Sequence, residues 1–191
     1  MNKINTVILA SILIVASGCK PNHRVVHEKF NVSTIGATNE NMTCHIRLDG
    51  TGQRAGVDDD TGMNLSYVRN PYSVFVSFHF PKEQTGIVEL QEVSFSANGS
   101  VIRKVQVNQK EAFDNLTEFR KGGVPQVKEE DESRASFLIK QVDVPHSKLK
   151  VSVQAVISID GKEVLKTWEF ELVPITEEEL RNNLRDSIMS V

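Results

Sequence analysis

The stretch from Leu149 to Val173 constrains the fold more than any other part of the chain. Leu149, Val151, Val153, Ala155, Ile157 and Ile159 alternate with mainly polar residues, Asp160-Gly161 follows, and Glu163 to Val173 returns. Alternation with a period of two marks a strand with one buried face. Asp-Gly between two such runs marks a tight hairpin, because both residues tolerate positive φ. A two-residue loop sets Ile157 opposite Val164, Val153 opposite Trp168, Val151 opposite Phe170 and Leu149 opposite Leu172. A slip of one residue would turn every one of these side chains to the wrong face, so the pattern itself fixes the register. Lys166 opposite Ala155 is the mismatch and marks an edge of the core. Trp168 reads as a core anchor.

Other segments repeat the signal. Tyr72, Val74, Val76, Phe78 and Phe80 share one face of a strand that Pro81 ends, while Ser73, Ser77 and His79 share the other with Phe75. Met42, Cys44, Ile46 and Leu48 alternate in the same way. Cys44 and His45 are adjacent, so a strand points them to opposite faces, which argues against a catalytic Cys-His pair there. Cys44 reads as a buried small hydrophobe. Ile87–Ala97 and Ser100–Val107 flank Asn98-Gly99, a second hairpin that sets Phe95 opposite Ile102. Farther out Val93 meets Lys104, and a bulge near Gln91-Glu92 would restore the phase.

Three stretches carry weaker signals. Asp49–Gly62 holds four glycines and Asp58-Asp59-Asp60. A calcium loop needs alternating ligands and a bidentate Glu at its twelfth position, which this loop does not supply. It reads as a solvated loop. Residues 108–134 read as an insertion, with a short helix or turn over Glu111–Phe119 and a charged loop tip of net −2 over Lys128–Arg134. After Pro174, Thr176 and Glu179 match a capping box. Leu180, Leu184 and Ile188 then form a stripe at helical spacing, which predicts a C-terminal helix over 175–191.

The amino terminus gives an address. Lys3 precedes the mostly apolar run Ile4–Ala16, and small residues follow, which is the pattern of a secretory signal. The run is too short for a spanning helix of about 20 residues. Ala16-Ser17-Gly18-Cys19 resembles the lipobox of bacterial lipoproteins, although that family more often has Leu where Ala16 stands. The resemblance implies cleavage of 1–18, a diacylglyceryl group on the Cys19 thiol and an acyl chain on its new amine. Each buried methylene contributes about 0.8 kcal/mol, so several chains anchor a protein stably. In this family an Asp after the cysteine tends to retain the protein at the inner membrane. Lys20 therefore implies an outer-membrane location if the cell is Gram-negative, and the outer face of the single membrane if it is Gram-positive. Residues 19–41 read as the lipidated cysteine and a tether, with Arg24–Phe30 as a short edge strand. His23 and His27 would share a face only on a helix, which Pro21 and Val25-Val26 oppose, so no metal is assigned to them.

Seven or so strands with tight hairpins predict a mostly β domain over 42–174. The expected architecture is an antiparallel β-sandwich of immunoglobulin-like kind, followed by the short α-helix, with an up-and-down barrel as the alternative. Without residues 1–18, 21 basic and 25 acidic residues leave a formal charge of −4, which offers no basic footprint for nucleic acid. Neither Gly-x-Ser-x-Gly nor His-Glu-x-x-His occurs. The expected function is a non-catalytic, membrane-anchored envelope module that binds a protein partner and carries no cofactor. A small-ligand carrier comes second. A hydrolase comes third and requires His45, His79 or His146 to stand in a cleft beside a nucleophile or carboxylates.

Overall fold

The structure, a computed structural model, describes residues 23–35, 42–121 and 124–181. Eight strands account for nearly all of them: β1 (His23–Ile35), β2 (Thr43–Val57), β3 (Asn64–Pro81), β4 (Gly86–Ala97), β5 (Ser100–Lys121), β6 (Val124–Val142), β7 (Leu149–Ile159) and β8 (Lys162–Arg181). They form one sheet in the order β1-β8-β7-β4-β5-β6-β3-β2, and β1 also pairs with β3. That last pairing returns the order to its start, so seven strands make a closed β-barrel and β2 is added beside β3. Contacts divide the described residues into two units, one of residues 23–27, 53–68 and 176–181 and a larger one of 28–35, 42–52, 69–121 and 124–175.

The expected open antiparallel sandwich with a terminal helix is therefore corrected. The closing β1–β3 pair is parallel, with His23 beside Asn64 and His27 beside Val68. The strand order is also not the up-and-down order of the weighed alternative. The stretch read as an insertion is strand: β5 and β6 continue through it and pair antiparallel from Asp114↔Arg134 to Lys121↔Val124. A sheet that continues through this stretch does not break into two layers joined by a loop. The residues read as a helix start are strand as well, since β8 runs to Arg181. Residues 182–191, with Leu184 and Ile188, lie outside the described residues, as do Cys19 and the whole signal segment.

The smaller unit shows why the helix signal lost. Arg24 on β1 donates to Glu178 and, at 2.8 Å, to Asp58, while His27 faces Glu179 at 3.6 Å. Local capping preferences amount to about 1 kcal/mol, and long-range pairing of the whole segment overrides them. The same unit explains the three aspartates. Asp58 accepts the amides of Asp60 and Thr61 at 3.1 and 3.0 Å and so closes the turn between β2 and β3. Hydrogen bonds from Thr61 first, then the one from Arg24, hold its carboxyl below the usual carboxylate range. Residues 49–57, read as loop, belong to β2.

In the larger unit the alternation predicted for β7 and β8 is observed pair for pair, including Val153↔Trp168, Leu149↔Leu172 and Ala155↔Lys166. Of the four partners expected on the inward face, Val164, Trp168, Phe170 and Leu172, Val164 next to the turn is the exposed one. Asp160 and Gly161 take φ of 51° and 74°, as the turn requires. Tyr72, Val74, Val76, Phe78 and Phe80 are buried, and so are Met42, Cys44, Ile46 and Leu48. Phe78 meets Trp168 edge-on at 5.1 Å and Phe137 at 5.9 Å, and Phe80 stacks on Phe113 at 3.8 Å. Burying each such side chain contributes about 1.5–3 kcal/mol. The β4–β5 hairpin turns at Asn98-Gly99, with the expected irregularity between Leu90 and Glu92 and a second between Phe95 and Ser96. The second one places Phe95 beside Arg103 and Val93 beside Val105, which removes the mismatch with Lys104.

Candidate functional site

The same alternation that fills the core turns a second set of side chains outward from β2, β3 and β6. Antiparallel pairing of β3 with β6 aligns Ser77 with Ser136, His79 with Arg134 and Pro81 with Glu132. His79 Nδ1 lies 2.7 Å from a Glu132 carboxylate oxygen, and Nε2 lies 3.2 Å from the Ser77 hydroxyl. A carboxylate only accepts hydrogen bonds, so Nδ1 carries the proton. In the neutral ring Nε2 is then the acceptor, and Ser77 donates to it. Ser77 and His79 reach one another because residues i and i+2 of a strand share a face. His45, from β2, meets the His79 ring edge-on at 4.9 Å.

Two open grooves border this group. One, of about 660 Å³, is lined by His79, Glu111, Asp114, Glu130, Glu132 and Arg134. The other, of about 320 Å³, is lined by His45, Arg47, Phe75, Ser77, Arg134 and Phe137. Arg134 and Ser136 touch both. The Arg47 guanidinium sits 4.6 Å from the Phe75 ring centre and 3.0 Å from Asp49. The side-chain exposures of His79 and Glu132, 23% and 63%, leave their pair in contact with solvent.

The remaining residues singled out in the sequence have structural roles. Cys44 is 3% exposed, and burial pushes its thiol far above the usual range, so it is not a nucleophile. His23 bonds Ser66 at 3.0 Å, and His27 faces Glu179. On an extended strand the two are roughly 13 Å apart. Among the described residues no group of three or more His, Cys, Asp or Glu is placed to hold a metal ion. His146 bonds the Lys29 carbonyl at 2.9 Å and packs on Phe30. Trp168 is buried as expected.

Glu132 is the functional candidate that sequence reasoning missed, because the charged run containing it read as a loop tip. The shared face of Ser77 and His79 was visible in the alternation. Their acidic neighbour, more than fifty residues away, follows only from the β3–β6 register. Comparison of the chain with protein families, with curated proteins and with solved structures returns no match.

Proposed function

We propose that this chain is an exported lipoprotein of the cell envelope, tethered through lipid on Cys19, whose barrel presents a protein-binding face beside the membrane. The observation that carries the binding part is the position of β2. It ends the strand order and pairs only with β3 among the described residues, so its other edge offers unpaired amides and carbonyls. An exposed edge accepts an extended segment from a partner, and neighbouring side chains give selectivity. His45 and Arg47 project from β2, with Phe75 under the Arg47 guanidinium. Aromatic and arginine side chains are the usual centres of binding energy at protein interfaces. The partner on this reading is an envelope protein that contributes an extended strand. The aromatic side chains that a small-ligand carrier would need around its cargo, Phe78, Phe95, Trp168 and Phe170, are instead packed in the core.

The test joins address to edge. Wild type and Cys19→Ala are expressed in a Gram-negative host, with a photo-crosslinking residue in place of Arg47. The expected result is a multi-acyl mass and membrane retention for the wild type only, with one recurrent crosslinked protein. Equal solubility of both forms would overturn the anchor. A smear without a recurrent partner, from position 47 and from a second probe at His45, would overturn the binding edge.

A further inference from the structure

Beyond binding, we propose that Ser77, His79 and Glu132 form a nucleophilic relay that cleaves esters with good leaving groups. The diagnostic geometry for an activated serine is a hydroxyl within hydrogen-bond reach of a base that a third group orients. Here the two separations are 3.2 Å, Ser77 to His79 Nε2, and 2.7 Å, His79 Nδ1 to Glu132. The ring atoms are used in the order that nucleophilic serine sites use them, with Nε2 on the hydroxyl and Nδ1–H on the acid. Ser77 lines the smaller groove, while His79 and Glu132 line the larger one, so an acyl carbon can approach Ser77 from solvent through the smaller groove.

The step balances with water as the only co-reactant. The Ser77 oxygen forms a bond to the acyl carbon as its proton passes to Nε2. The carbon–oxygen bond to the leaving group then breaks, and the departing alkoxide takes that proton. Water repeats the sequence: it gives a proton to Nε2, bonds the acyl carbon and displaces Ser77, which recovers the proton. The products are a carboxylic acid and an alcohol. Ser77 lies within the β3–β6 ladder, and ladder amides are occupied by pairing. The developing oxyanion is therefore met by Arg134, which borders both grooves, rather than by a pair of backbone amides. Removal of a single oxyanion donor already costs other hydrolases about 10²–10³ in rate. The reaction is for that reason confined to esters whose leaving group needs little assistance.

The test uses the full chain, a fluorophosphonate probe and a neutral aryl acetate. The expected result is one adduct, mapped to Ser77. Its formation should be at least tenfold slower in His79→Gln, be absent in Ser77→Ala and be unchanged in Ser152→Ala, a serine of β7 that lines neither groove. Acetate release should follow the same order. Glu132→Gln should lower the maximal rate without changing the half-saturating ester concentration, and Glu132→Asp should recover part of it, which separates orientation from folding. If His79→Gln loses the β-sheet circular dichroism of the wild type, the Glu132 pair carries the same decision. No adduct, an adduct on another serine, or labelling indifferent to both His79 and Glu132 would overturn the relay. Neither the anchor nor a partner enters this assay, so its failure leaves the binding reading untouched.

Discussion

The β7–β8 and β5–β6 hairpins are built from the same secondary structure, yet only the first is encoded face by face. In β7–β8 the inward row Leu149, Val151, Val153, Ala155 and Ile157 is buried along its length, opposite Trp168, Phe170 and Leu172. Among the described side chains of β5, Phe113 is the large apolar one that is fully buried, while Val101, Ile102 and Leu116 are 62%, 43% and 55% exposed. Where one face is desolvated, a shift in register would bury polar groups, so sequence and structure are tightly coupled. Where both faces meet water, many sequences satisfy the backbone equally well. Charge then serves another purpose. Arg103, Lys104 and Lys110 line the first half of β5, and charged side chains with bulges are a known defence of sheet edges against unwanted pairing.

That contrast can be broken by mutation. The largest effect is expected for Trp168→Ala, which removes a buried ring packed on Phe78 and should cost about 3–5 kcal/mol in chemical denaturation. A loss under about 1 kcal/mol would mean that the β7–β8 face is not the organising core. Gly86→Ala comes next, because it touches both hairpins. A Cβ there would lie 2.3 Å from the Ser158 carbonyl and 2.8 Å from the Phe113 ring. Overpacking of this kind costs about 1–3 kcal/mol. Leu116→Ala, in the exposed half of β5, should change stability by less than about 0.5 kcal/mol. If it cost as much as Gly86→Ala, the β5–β6 extension would have to be covered in solution.

The last prediction concerns pH and the turn between β2 and β3 that Asp58 closes. Asp58 has an ordinary carboxyl value of 3.8, and its folded value is lower because of Thr61 first and Arg24 after it. A group shifted in this direction binds more protons unfolded than folded, so it stabilises the fold fully above the ordinary value. That contribution is lost as pH falls through the folded value. The advantage of wild type over Asp58→Asn in thermal unfolding should therefore be complete at neutral pH and vanish on strong acidification. A constant difference across that window would mean that the turn does not depend on the charge.

Legibility followed desolvation. The faces of β3, β7 and the first half of β2 were readable because each buried side chain excluded the opposite assignment. The β4–β5 register was readable near its turn, apart from the second irregularity at Phe95/Ser96, which no local pattern announces. The capping box at Thr176 and Glu179 was a true local preference that lost. Glu179, the expected cap, instead bonds Arg181 at 2.8 Å and faces His27, some 150 residues away in the chain, at 3.6 Å, while Arg24 takes the neighbouring Glu178. For the candidate site, Ser77 and His79 were visible as neighbours on one polar face. Glu132 was not, because an exposed acidic residue carries no mark of what it will stand beside.

The sequence by itself determined that the chain is β-rich, which side chains line its core and where two tight hairpins turn, because burial leaves a period in the residues. Only the tertiary structure decided that β1 meets β3 in parallel to close a ring, that residues 108–134 continue the sheet, and that a glutamate from β6 stands beside His79. Those outcomes depend on contacts between distant segments whose exposed side chains fit many arrangements, and the energy that selects among them belongs to the assembled sheet.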